Sequence, residues 1–353
     1  MPCPGRFPFR RAAEKEISFP AFQNPPVRSV PRELDVYRDR TVLITGASGY
    51  IAGGLLRALT GVARSLRLLS RSRQSLPQQP NIQTFGGDIR SRELWDEVVQ
   101  GVDVVFHLAA QTSVYAAADD PASDFEANVL PLQQMISACR ASGSRPVVIL
   151  AGSVTQAGIP AEIPVDESVR DNPVTVYDFH KMMAEESLKF FCRDGALRGA
   201  CLRLSNVYGP GPQSSSADRG VLNRMIRRAL NGESLTLHGD GSSIRDYTYI
   251  DDVVRAFLLA GAAGSDIDGR HFLIGSGKGW TLREAFELVA RLASDRLGRT
   301  LAVDSIPAPS ELDPIEFRNF VADTSAFAQA TGWSPEIQLE EGIKLTMAAM
   351  SSE

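Results

Sequence analysis

A glycine-rich turn at residues 45–53 joins the apolar residues 41–44 to a stretch with a helical pattern. A strand, a glycine turn and a helix in this order are typical of sheets that bind a dinucleotide. Gly46 and Gly49 would let the backbone turn tightly and approach a pyrophosphate, which would then lie against free N–H groups at the positive end of the helix. We further expect Gly53 to allow close packing of the helix on the strand. The turn therefore predicts a dinucleotide site near the start of an α/β domain.

Apolar runs that resemble strands alternate with helical patterns from residue 41 onward. Repeated strand–helix units imply a parallel sheet with helices on both faces and right-handed crossovers. The predicted fold class is therefore α/β, a Rossmann-type doubly wound parallel sheet with the cofactor along the carboxyl ends of its strands. Strands are expected near residues 66–69, 102–107 and 147–151, and helices near residues 92–99, 125–141, 221–231 and 282–292.

The chain is expected to divide into three parts. Residues 1–39, in which prolines are interleaved with arginines, form an N-terminal extension that is predicted to be disordered or loosely docked. Residues 40–205 form the predicted dinucleotide-binding Rossmann domain, to which residues 246–262 return. Elsewhere the pattern loosens into loops rich in glycine and proline, so residues 206–245 and 263–353 are predicted to form a smaller, interleaved substrate-binding lobe.

Tyr177 and Lys181 are four residues apart in the sequence, and Ser153 comes shortly after the apolar residues 147–150. Side chains at i and i+4 share one face of a helix, so the Lys181 ammonium can stand beside the Tyr177 phenol and favour its phenolate. An unperturbed tyrosine titrates near ~10, too high for a general base at neutral pH, and an adjacent cation is the simplest way to lower that pKa. The pattern predicts a proton-transfer site made of Ser153, Tyr177 and Lys181. The alternative, a solvated helix face, is disfavoured by the glycine turn upstream.

Together these motifs resemble the extended short-chain dehydrogenase/reductase family, and within it the NAD-dependent epimerase/dehydratase branch of nucleotide-sugar enzymes that are similar to UDP-glucose 4-epimerase. The resemblance runs from about residue 40 almost to the C-terminus. Further motifs stand in the family's order: residues 87–90 (GDIR), 107–110 (HLAA), 203–211 (RLSNVYGPG), 239–241 (GDG), 245–247 (RDY), 251–254 (DDVV), 322–325 (ADTS) and 332–335 (GWSP), together with Asn128.

The resemblance implies a role for each matching residue. Tyr177 would exchange the proton of a sugar hydroxyl, Ser153 would hydrogen-bond the reacting oxygen, and Lys181 would hold the nicotinamide ribose. An arginine suits the diphosphate of a nucleotide sugar because its planar guanidinium donates two parallel hydrogen bonds. The implied cofactor contacts are Gly46, Ser48, Gly49, Tyr50, Ile51, Asp88, Ile89, Leu108, Ala109, Ala110, Asn128, Tyr177 and Lys181. The implied substrate contacts are Gln111, Ser113, Ser153, Asn206, Arg245 and Arg318, with a surface ion pair as the alternative for Arg318.

The choice of cofactor depends on the residues that follow the second predicted strand. A site specific for NAD usually has Asp or Glu there to accept hydrogen bonds from the ribose hydroxyls, whereas this chain has the sequence LSRSR at residues 69–73. Arg71 or Arg73 could pair bidentately with a 2′-phosphate, so NADP is favoured over NAD. The alternative is that both arginines are solvated and that either cofactor binds.

The type of reaction is inferred from the residues around Ser153. Sugar 4,6-dehydratases of the family place an Asp-Glu pair just after the catalytic residue as acid and base, and Val154 and Thr155 stand there instead. Dehydration is therefore disfavoured, which leaves epimerisation or reduction. The resemblance to UDP-glucose 4-epimerase-like chains places epimerisation of a nucleotide sugar first. The alternatives are NADPH-dependent reduction of a nucleotide-linked 4-keto sugar and a non-catalytic dinucleotide sensor. Relatives often carry Ser or Thr before the catalytic residue, so Ala151 and Gly152 predict that a supporting hydroxyl is missing.

Composition narrows the expected partners. A formal net charge of -5 and a pI near 5.6 give no basic surface for nucleic acid, and no apolar run approaches the ~20 residues of a membrane-spanning helix. The four cysteines show no close-paired metal spacing and are interpreted as reduced thiols. We expect a cytoplasmic enzyme with no metal, no nucleic-acid partner and no membrane partner. The resemblance implies a homodimer joined through the helices around residues 125–141 and 177–191.

Overall fold

The computed structural model describes residues 33–73, 76–211, 220–309 and 312–351. The part of the predicted N-terminal extension that comprises residues 1–32 lies outside these described residues. Within them, no helix combines the length and the apolar character that crossing a bilayer requires.

The described chain begins with a short 3-10 helix, Glu33–Tyr37. Tyr37 is fully buried, and its phenol donates a 2.6 Å hydrogen bond to the carbonyl oxygen of Leu258. Its ring also packs near that of Phe106. This end of the predicted extension therefore lies against the sheet domain, because a buried aromatic side chain anchors it.

Strands and helices alternate along the first half of the described chain, as the sequence pattern predicts. The strands are β1 (Thr41–Thr45), β2 (Ser65–Ser70), β3 (Ile82–Gly86), β4 (Val104–His107), β5 (Val147–Ser153), β6 (Arg198–Leu204), β7 (Asn206–Tyr208), β8 (Leu235–His238), β9 (Ile244–Tyr249), β10 (Arg270–Ile274), β11 (Gly279–Thr281) and β12 (Val303–Ile306). The α-helices are α1 (Tyr50–Leu59), α2 (Arg92–Val98), α3 (Val114–Asp119), α4 (Pro121–Asn128), α5 (Leu130–Ser142), α6 (Val176–Arg193), α7 (Val221–Leu230), α8 (Ile250–Ala262), α9 (Leu282–Leu297), α10 (Ser325–Thr331) and α11 (Leu339–Met350).

A seven-stranded parallel sheet forms the centre of the domain, in the order β10-β6-β5-β4-β1-β2-β3. Helices cover both of its faces, which is why its central strands are continuous apolar runs and not alternating ones. The residues of β1 from Val42 to Ile44, for example, are fully buried. The order from β3 to β6 is that of a doubly wound sheet, so the predicted Rossmann-type fold class is confirmed.

Polar residues end several of the parallel strands at the same edge. Thr45 pairs with His107 in the register of β1 and β4, and Ser70 ends β2. Ser153 ends β5 and pairs with Leu204 of β6. Because the carboxyl ends of parallel strands meet at one edge of a sheet, these side chains are brought to the side of the domain where ligands of such sheets bind.

The segments predicted to form the substrate-binding lobe, here called the second lobe, leave the main sheet and return to it. The predicted lobe residues 263–353 include β10, which is an edge strand of that sheet. β6 leads directly into β7, which pairs in parallel with β9, and β11 joins β9 in antiparallel orientation. A separate parallel pair, β8 and β12, lies beside α9. After β9 the chain enters α8, which packs against α1 and against β4 to β6 of the main sheet.

The helix predicted at residues 125–141 is two helices in the structure, α4 and α5, which meet at Val129. Pro131 lies in the first turn of α5, where its missing N–H costs no hydrogen bond. In one continuous helix the same proline would remove a bond and break the helix. The other predicted strands and helices are confirmed, with end points that differ by a few residues.

Gly54, and not Gly53, provides a close approach of helix α1. A Cβ on Gly54 would collide with a methyl group of Val254 on α8, whereas a Cβ on Gly53 would meet no atom of the described residues within 4 Å. The prediction that Gly53 allows the helix to pack on the strand is therefore wrong, and the close contact joins two helices instead.

Candidate active site

Helix α6 carries Tyr177 and Lys181 on its buried face. The Thr175 hydroxyl accepts a hydrogen bond from the backbone N–H of Asp178 and so caps the start of the helix. Tyr177 and Lys181 are each 5% exposed, so they face the protein and not the solvent. The helical spacing on which the proton-transfer prediction depends is therefore present, and the alternative of a solvated helix face does not apply.

The Lys181 ammonium is held at the end of β5. It donates a 2.6 Å hydrogen bond to the carbonyl oxygen of Ala151, two residues before Ser153. The ring of Tyr177 packs in a small apolar cluster with Val114 and Ile315. The structure thus brings the helix with Tyr177 and Lys181 against the strand that ends at Ser153.

Ser153 ends β5 and begins the 3-10 helix Val154–Ala157. Its hydroxyl lies 2.8 Å from the Thr155 hydroxyl and also accepts a hydrogen bond from the Thr155 backbone N–H. The expectation that a supporting hydroxyl is missing is therefore wrong. The tight turn of the 3-10 helix supplies one from the second residue after Ser153, instead of from the residue before it.

The glycine turn has the geometry expected of a phosphate-binding loop. Gly46 has a φ of 65°, and a Cβ there would lie 2.9 Å from the backbone nitrogen of Ala109. Gly49 is the cap residue of α1, and in the described part of the chain no side chain caps that helix start and no acidic residue lies in its first turn. The N–H groups of Tyr50 and Ile51 in that turn therefore suit an anion, and these residues fit the pyrophosphate of a dinucleotide.

Two side chains of the turn make contacts outside it. The Tyr50 phenol donates a 2.8 Å hydrogen bond to the carbonyl oxygen of Gly209 and accepts one of 3.3 Å from the Asn223 amide. The Ser48 hydroxyl lies 3.1 Å from the Ser70 hydroxyl at the end of β2. The side chain of Tyr50 therefore ties the turn to the second lobe, so the predicted cofactor contact of this residue is left to its backbone.

Thr45 fixes the loop that follows β4. Its hydroxyl oxygen accepts hydrogen bonds from the N–H groups of Leu108 and Ala109, each 3.1 Å long, and lies 2.9 Å from Nδ1 of His107. Because both lone pairs of the hydroxyl are used, its proton points at Nδ1, and the neutral imidazole carries its own proton on Nε2. The loop that continues to Ala110 is thereby held beside the glycine turn.

His107 should make the stability of the fold depend on pH. Burial lowers its pKa from 6.5 to about 3, and the charge of Lys181 acts in the same direction. Between these values the unfolded chain binds a proton that the folded chain does not, so the contribution is complete above about pH 6.5 and is lost as the pH falls. We expect His107 alone to lower the free energy of unfolding by about 2 kcal/mol between pH 7 and pH 5.

Urea unfolding at several pH values tests this expectation with the variant His107→Asn, whose side-chain amide still offers an acceptor to Thr45. The free energy of unfolding should fall less steeply with decreasing pH in the variant than in the wild type. Equal slopes in the two proteins would contradict the role of His107.

Asp124 collects hydrogen bonds from side chains around the start of α6. One oxygen accepts from Gln111 at 2.7 Å and from Asn128 at 2.9 Å, and the other lies 2.7 Å from Nδ1 of His180. Gln111 also donates to the carbonyl oxygen of Ser113, whose hydroxyl caps α3. The polar groups of Gln111 and Ser113 are thus used within the protein, and their contact with a sugar stays a prediction.

The buried side-chain oxygen of Asn128 has no hydrogen-bond partner among the described residues, which leaves it an acceptor for a ligand.

Arg71 and Arg73 are exposed just after β2. The stem of Arg73 crosses the end of β3, where a Cβ on Gly86 would lie 2.7 Å from its Cγ. Neither arginine forms an ion pair with a carboxylate of the described residues. Both guanidiniums are therefore available to an anion at this corner of the sheet.

Asp88 and Ile89 follow β3 and are placed differently from each other. The exposed carboxylate of Asp88 forms an ion pair of 2.6 Å with Arg90, whose hydrogen bonds hold the pKa of that carboxyl below its usual range. Ile89 is half-buried, and its carbonyl oxygen accepts a 2.6 Å hydrogen bond from the Trp95 indole. The contact of both residues with an adenine ring stays a prediction.

Arg245 and Arg318 meet in the second lobe. The Arg245 guanidinium donates to the carbonyl oxygens of Glu316 and Arg318, and that of Arg318 donates to the carbonyl oxygen of Ile315 at 2.8 Å. They are 3% and 8% exposed, and burial lowers the pKa of Arg245. Arg245 makes no ion pair with a carboxylate in the part of the chain that is described. Because carbonyl dipoles do not neutralise a guanidinium, Arg245 retains positive charge for an anionic ligand.

Tyr247 lies near this arginine pair, a position that sequence reasoning did not single out. Burial raises the pKa of its phenol to about 12, although Arg245 and Arg318 both oppose the shift. Asn206 pairs with Tyr247 in the small sheet, so Asn206 and Arg245 fall on adjacent strands. Arg318, in contrast, follows the 3-10 helix Pro314–Phe317. Residues two apart on a strand share a face, and this spacing is the signal that could have found Tyr247.

Comparison with known proteins agrees with the Rossmann-type fold and identifies the family. A model of the NAD dependent epimerase/dehydratase family matches residues 42–275. A UDP-glucose 4-epimerase of Mycolicibacterium smegmatis is 30% identical over 317 residues, which cover 86% of this chain and 96% of that protein. A 2-alkyl-3-oxoalkanoate reductase of Stenotrophomonas maltophilia is 30% identical over 273 residues, 74% of this chain and 78% of that protein.

Among solved structures, the UDP-glucose 4-epimerase of Thermotoga maritima with UDP-glucose superimposes with a TM-score of 0.79 at 28% identity, over 88% of this chain and 99% of that one. The match therefore extends over both lobes, since it continues well beyond β6. The chain belongs to the NAD-dependent epimerase/dehydratase family.

Proposed function

We propose that this protein is a nucleotide-sugar epimerase that uses a bound nicotinamide dinucleotide for transient oxidation at a sugar carbon. The proposal is carried by the meeting of two elements. Helix α6 presents Tyr177 and Lys181, and Lys181 is hydrogen-bonded to Ala151 of the strand that ends at Ser153. It is supported by the relatives of known structure and sequence that are named UDP-glucose 4-epimerases.

The residues of the chain divide the chemistry as follows. When bound, the dinucleotide would accept a hydride from the sugar carbon and return it to either face. Tyr177 would take the proton of the sugar hydroxyl as the carbonyl forms, and would give it back as the carbonyl is reduced. Ser153, whose hydroxyl rests on that of Thr155, would hydrogen-bond the reacting oxygen. Lys181 would stabilise the Tyr177 phenolate through its charge.

The substrate would be a nucleotide-diphosphate sugar. Arg245 and Arg318 would bind its diphosphate, since two neighbouring guanidiniums offer parallel, charge-assisted hydrogen bonds to phosphate oxygens. Asn206, on the strand beside Tyr247, would add a neutral contact. Dehydration is disfavoured because Val154 and Thr155, both buried, stand where a dehydratase needs an acid and a base.

Reduction of a keto sugar is the second candidate, and the residues after β2 favour it. Arg71 and Arg73 suit the 2′-phosphate of NADP, the cofactor that reductases consume. We expect the double variant Arg71→Ser, Arg73→Ser to bind NADPH at least about tenfold more weakly and NADH within about twofold of the wild type, because only the phosphate contact is lost.

Titration of the reduced-nicotinamide fluorescence measures both affinities. The control is Arg92→Ser, which removes a half-buried arginine that is paired with Asp96 on α2 and lies outside the predicted site. A parallel loss of NADH affinity in the double variant, or no loss for NADPH, would assign these arginines to the surface and remove the argument for NADP.

Incubation of the protein with UDP-, dTDP-, GDP- and CDP-sugars tests the function directly. Product stereochemistry and absorbance at the reduced-nicotinamide band are followed together. An epimer formed without net change of absorbance supports the epimerase, whereas stoichiometric loss of NADPH supports the reductase. Binding without either product would refute both.

We also propose a homodimer that forms through α4 and α6. Large aromatic side chains are exposed on these helices, with Phe125 37%, Phe179 46% and Phe190 55% exposed. Phe125 and Phe179 both lie against the His180 ring, and exposed apolar groups that lie together mark interaction surfaces. Light scattering in solution should give the mass of two chains, and the mass of one chain would refute the proposal.

A further inference from the structure

Gln156 is fully buried between Ser153 and a carboxylate of α6. Its side-chain oxygen accepts a 3.2 Å hydrogen bond from the backbone N–H of Ser153, and its side-chain nitrogen donates one of 2.9 Å to Glu185. Glu185 lies one helical turn beyond Lys181. One amide group therefore connects the strand end that carries Ser153 to the helix that carries Tyr177 and Lys181.

The orientation of this amide is fixed by the charge of its partner. Burial alone would raise the pKa of the Glu185 carboxyl, but hydrogen bonds from His271 and Arg203 outweigh it and hold that pKa well below the usual range. An ionised carboxylate can only accept hydrogen bonds. The NH₂ group of Gln156 must therefore face Glu185, and its oxygen must face the N–H of Ser153.

Glu185 is itself a rigid attachment point. Arg203 donates to its two oxygens at 2.8 and 2.6 Å, and Lys189 reaches it at 2.6 Å. Arg203 is held in turn by Asp171, through hydrogen bonds of 2.6 and 2.7 Å. A side chain with this many charge-assisted hydrogen bonds has little freedom to move. Glu185 can therefore hold the Gln156 amide at a fixed distance from α6.

Gly152 leaves the space that this arrangement needs. A Cβ at Gly152 would lie 2.5 Å from the Cys201 sulfur and 3.3 Å from the side-chain oxygen of Gln156. A Ser or Thr at this position would therefore collide with the Cys201 sulfur and crowd the amide oxygen. Gly152 before Ser153 and Gln156 after it therefore depend on each other, because a side chain at residue 152 would occupy space beside the Gln156 amide.

We propose that Gln156 is a positioning residue for the reaction. By joining Ser153 to Glu185 it sets where the Ser153 hydroxyl stands relative to Tyr177 and Lys181 on α6. The inference rests on the proposed function, in which these hydroxyl groups meet at one sugar oxygen. A displacement of about 1 Å in such a group can lower a rate by as much as a hundredfold.

The variant Gln156→Met tests the proposal because it keeps the length of the side chain and removes both hydrogen bonds. We expect kcat to fall about tenfold to a hundredfold, with KM within about twofold, and the hydrogen exchange of the Ser153 amide to become at least about tenfold faster. The matched control is Gln133→Met. Its amide also hydrogen-bonds α6, at the Ser187 hydroxyl. Its loss should change neither kcat nor the exchange of the Ser153 amide.

A second variant, Gln156→Glu, adds a readout that a merely structural role would not move. The protonated form of the introduced carboxyl has the shape of the amide and can donate to Glu185 while accepting from Ser153. The neighbouring carboxylate raises the pKa of the introduced group. The ratio of its kcat to that of the wild type should therefore rise as the pH falls. The other charged or titratable groups around this position are Lys181, Lys189, Arg203, His271, Asp171 and Cys201, which both proteins share.

Three results would overturn the proposal. For Gln156→Met these are an unchanged exchange of the Ser153 amide, or a faster exchange with an unchanged kcat. For Gln156→Glu it is a kcat ratio that does not vary with pH. If the wild type converts none of the sugars, the proposed function fails, and the exchange of the Ser153 amide still decides whether Gln156 holds this residue.

Discussion

The variant Tyr177→Phe should lower kcat about a thousandfold, because it removes the group that takes and returns the proton of the sugar hydroxyl. The fold should be unaffected. The ring would keep its apolar neighbours Val114, Ala117 and Ile315, so the thermal midpoint should stay within a few degrees of the wild type. Steady-state kinetics with an active nucleotide sugar, together with a thermal melt, measure both effects.

A matched control removes a buried phenol elsewhere. Tyr37 donates a 2.6 Å hydrogen bond to the carbonyl oxygen of Leu258, far from α6 in the sequence. We expect Tyr37→Phe to lower the free energy of unfolding by about 1 kcal/mol and to leave kcat unchanged. Full activity in Tyr177→Phe would show that the proton is transferred by another group.

The variant Glu185→Gln should lower the free energy of unfolding by roughly 3–5 kcal/mol, the usual cost of removing one partner from a buried ion pair. Glu185 has no exposed surface, and Arg203 is 2% exposed. Without the carboxylate charge, the Arg203 guanidinium would stay buried with less compensation, and the new NH₂ group would face hydrogen-bond donors at one of the two former oxygen positions. Urea unfolding measures the change.

The control is an exposed carboxylate that also pairs with two cations. Glu340 accepts hydrogen bonds from Lys344 at 2.7 Å and from Arg291 at 3.1 Å, but its side chain is 45% exposed. Glu340→Gln should lower the free energy of unfolding by less than about 1 kcal/mol, since water replaces the lost partner. A similar small loss in Glu185→Gln would show that the buried network contributes little to stability.

The parts of the fold that sequence reasoning predicted are those set by short-range patterns. The apolar run, the glycine turn and the helix, which together extend from Thr41 to Leu59, contain their own signals, as does the four-residue spacing of Tyr177 and Lys181. The break between α4 and α5 was missed although its signal, Pro131, is local. The residue type alone does not distinguish a proline in the first turn of a helix from one that interrupts a helix. The surrounding helical pattern favoured one continuous helix.

The features that could not be predicted depend on partners distant in the sequence or on a local turn. Gly54 matters because Val254 of α8 lies against it, and the sequence around Gly54 contains no signal for that contact. The supporting hydroxyl of Thr155 depends on the chain entering a 3-10 helix directly after β5. Glu185 could have been noticed, because it extends the spacing of Tyr177 and Lys181 by one more turn. Its partner Arg203, however, is on strand β6.

The regular spacing along α6 also restricts how this chain can diverge. Tyr177, Lys181 and Glu185 follow one another at intervals of one turn, and the last two are tied to different strands, at Ala151 and Arg203. A helix advances by about 100° per residue, so one residue inserted between Tyr177 and Lys181 would rotate both attachments away from their partners. Insertions and deletions in this stretch should therefore prevent folding, so they would be eliminated before any change in catalysis could be selected. Point substitution remains as the route by which this helix can vary during evolution.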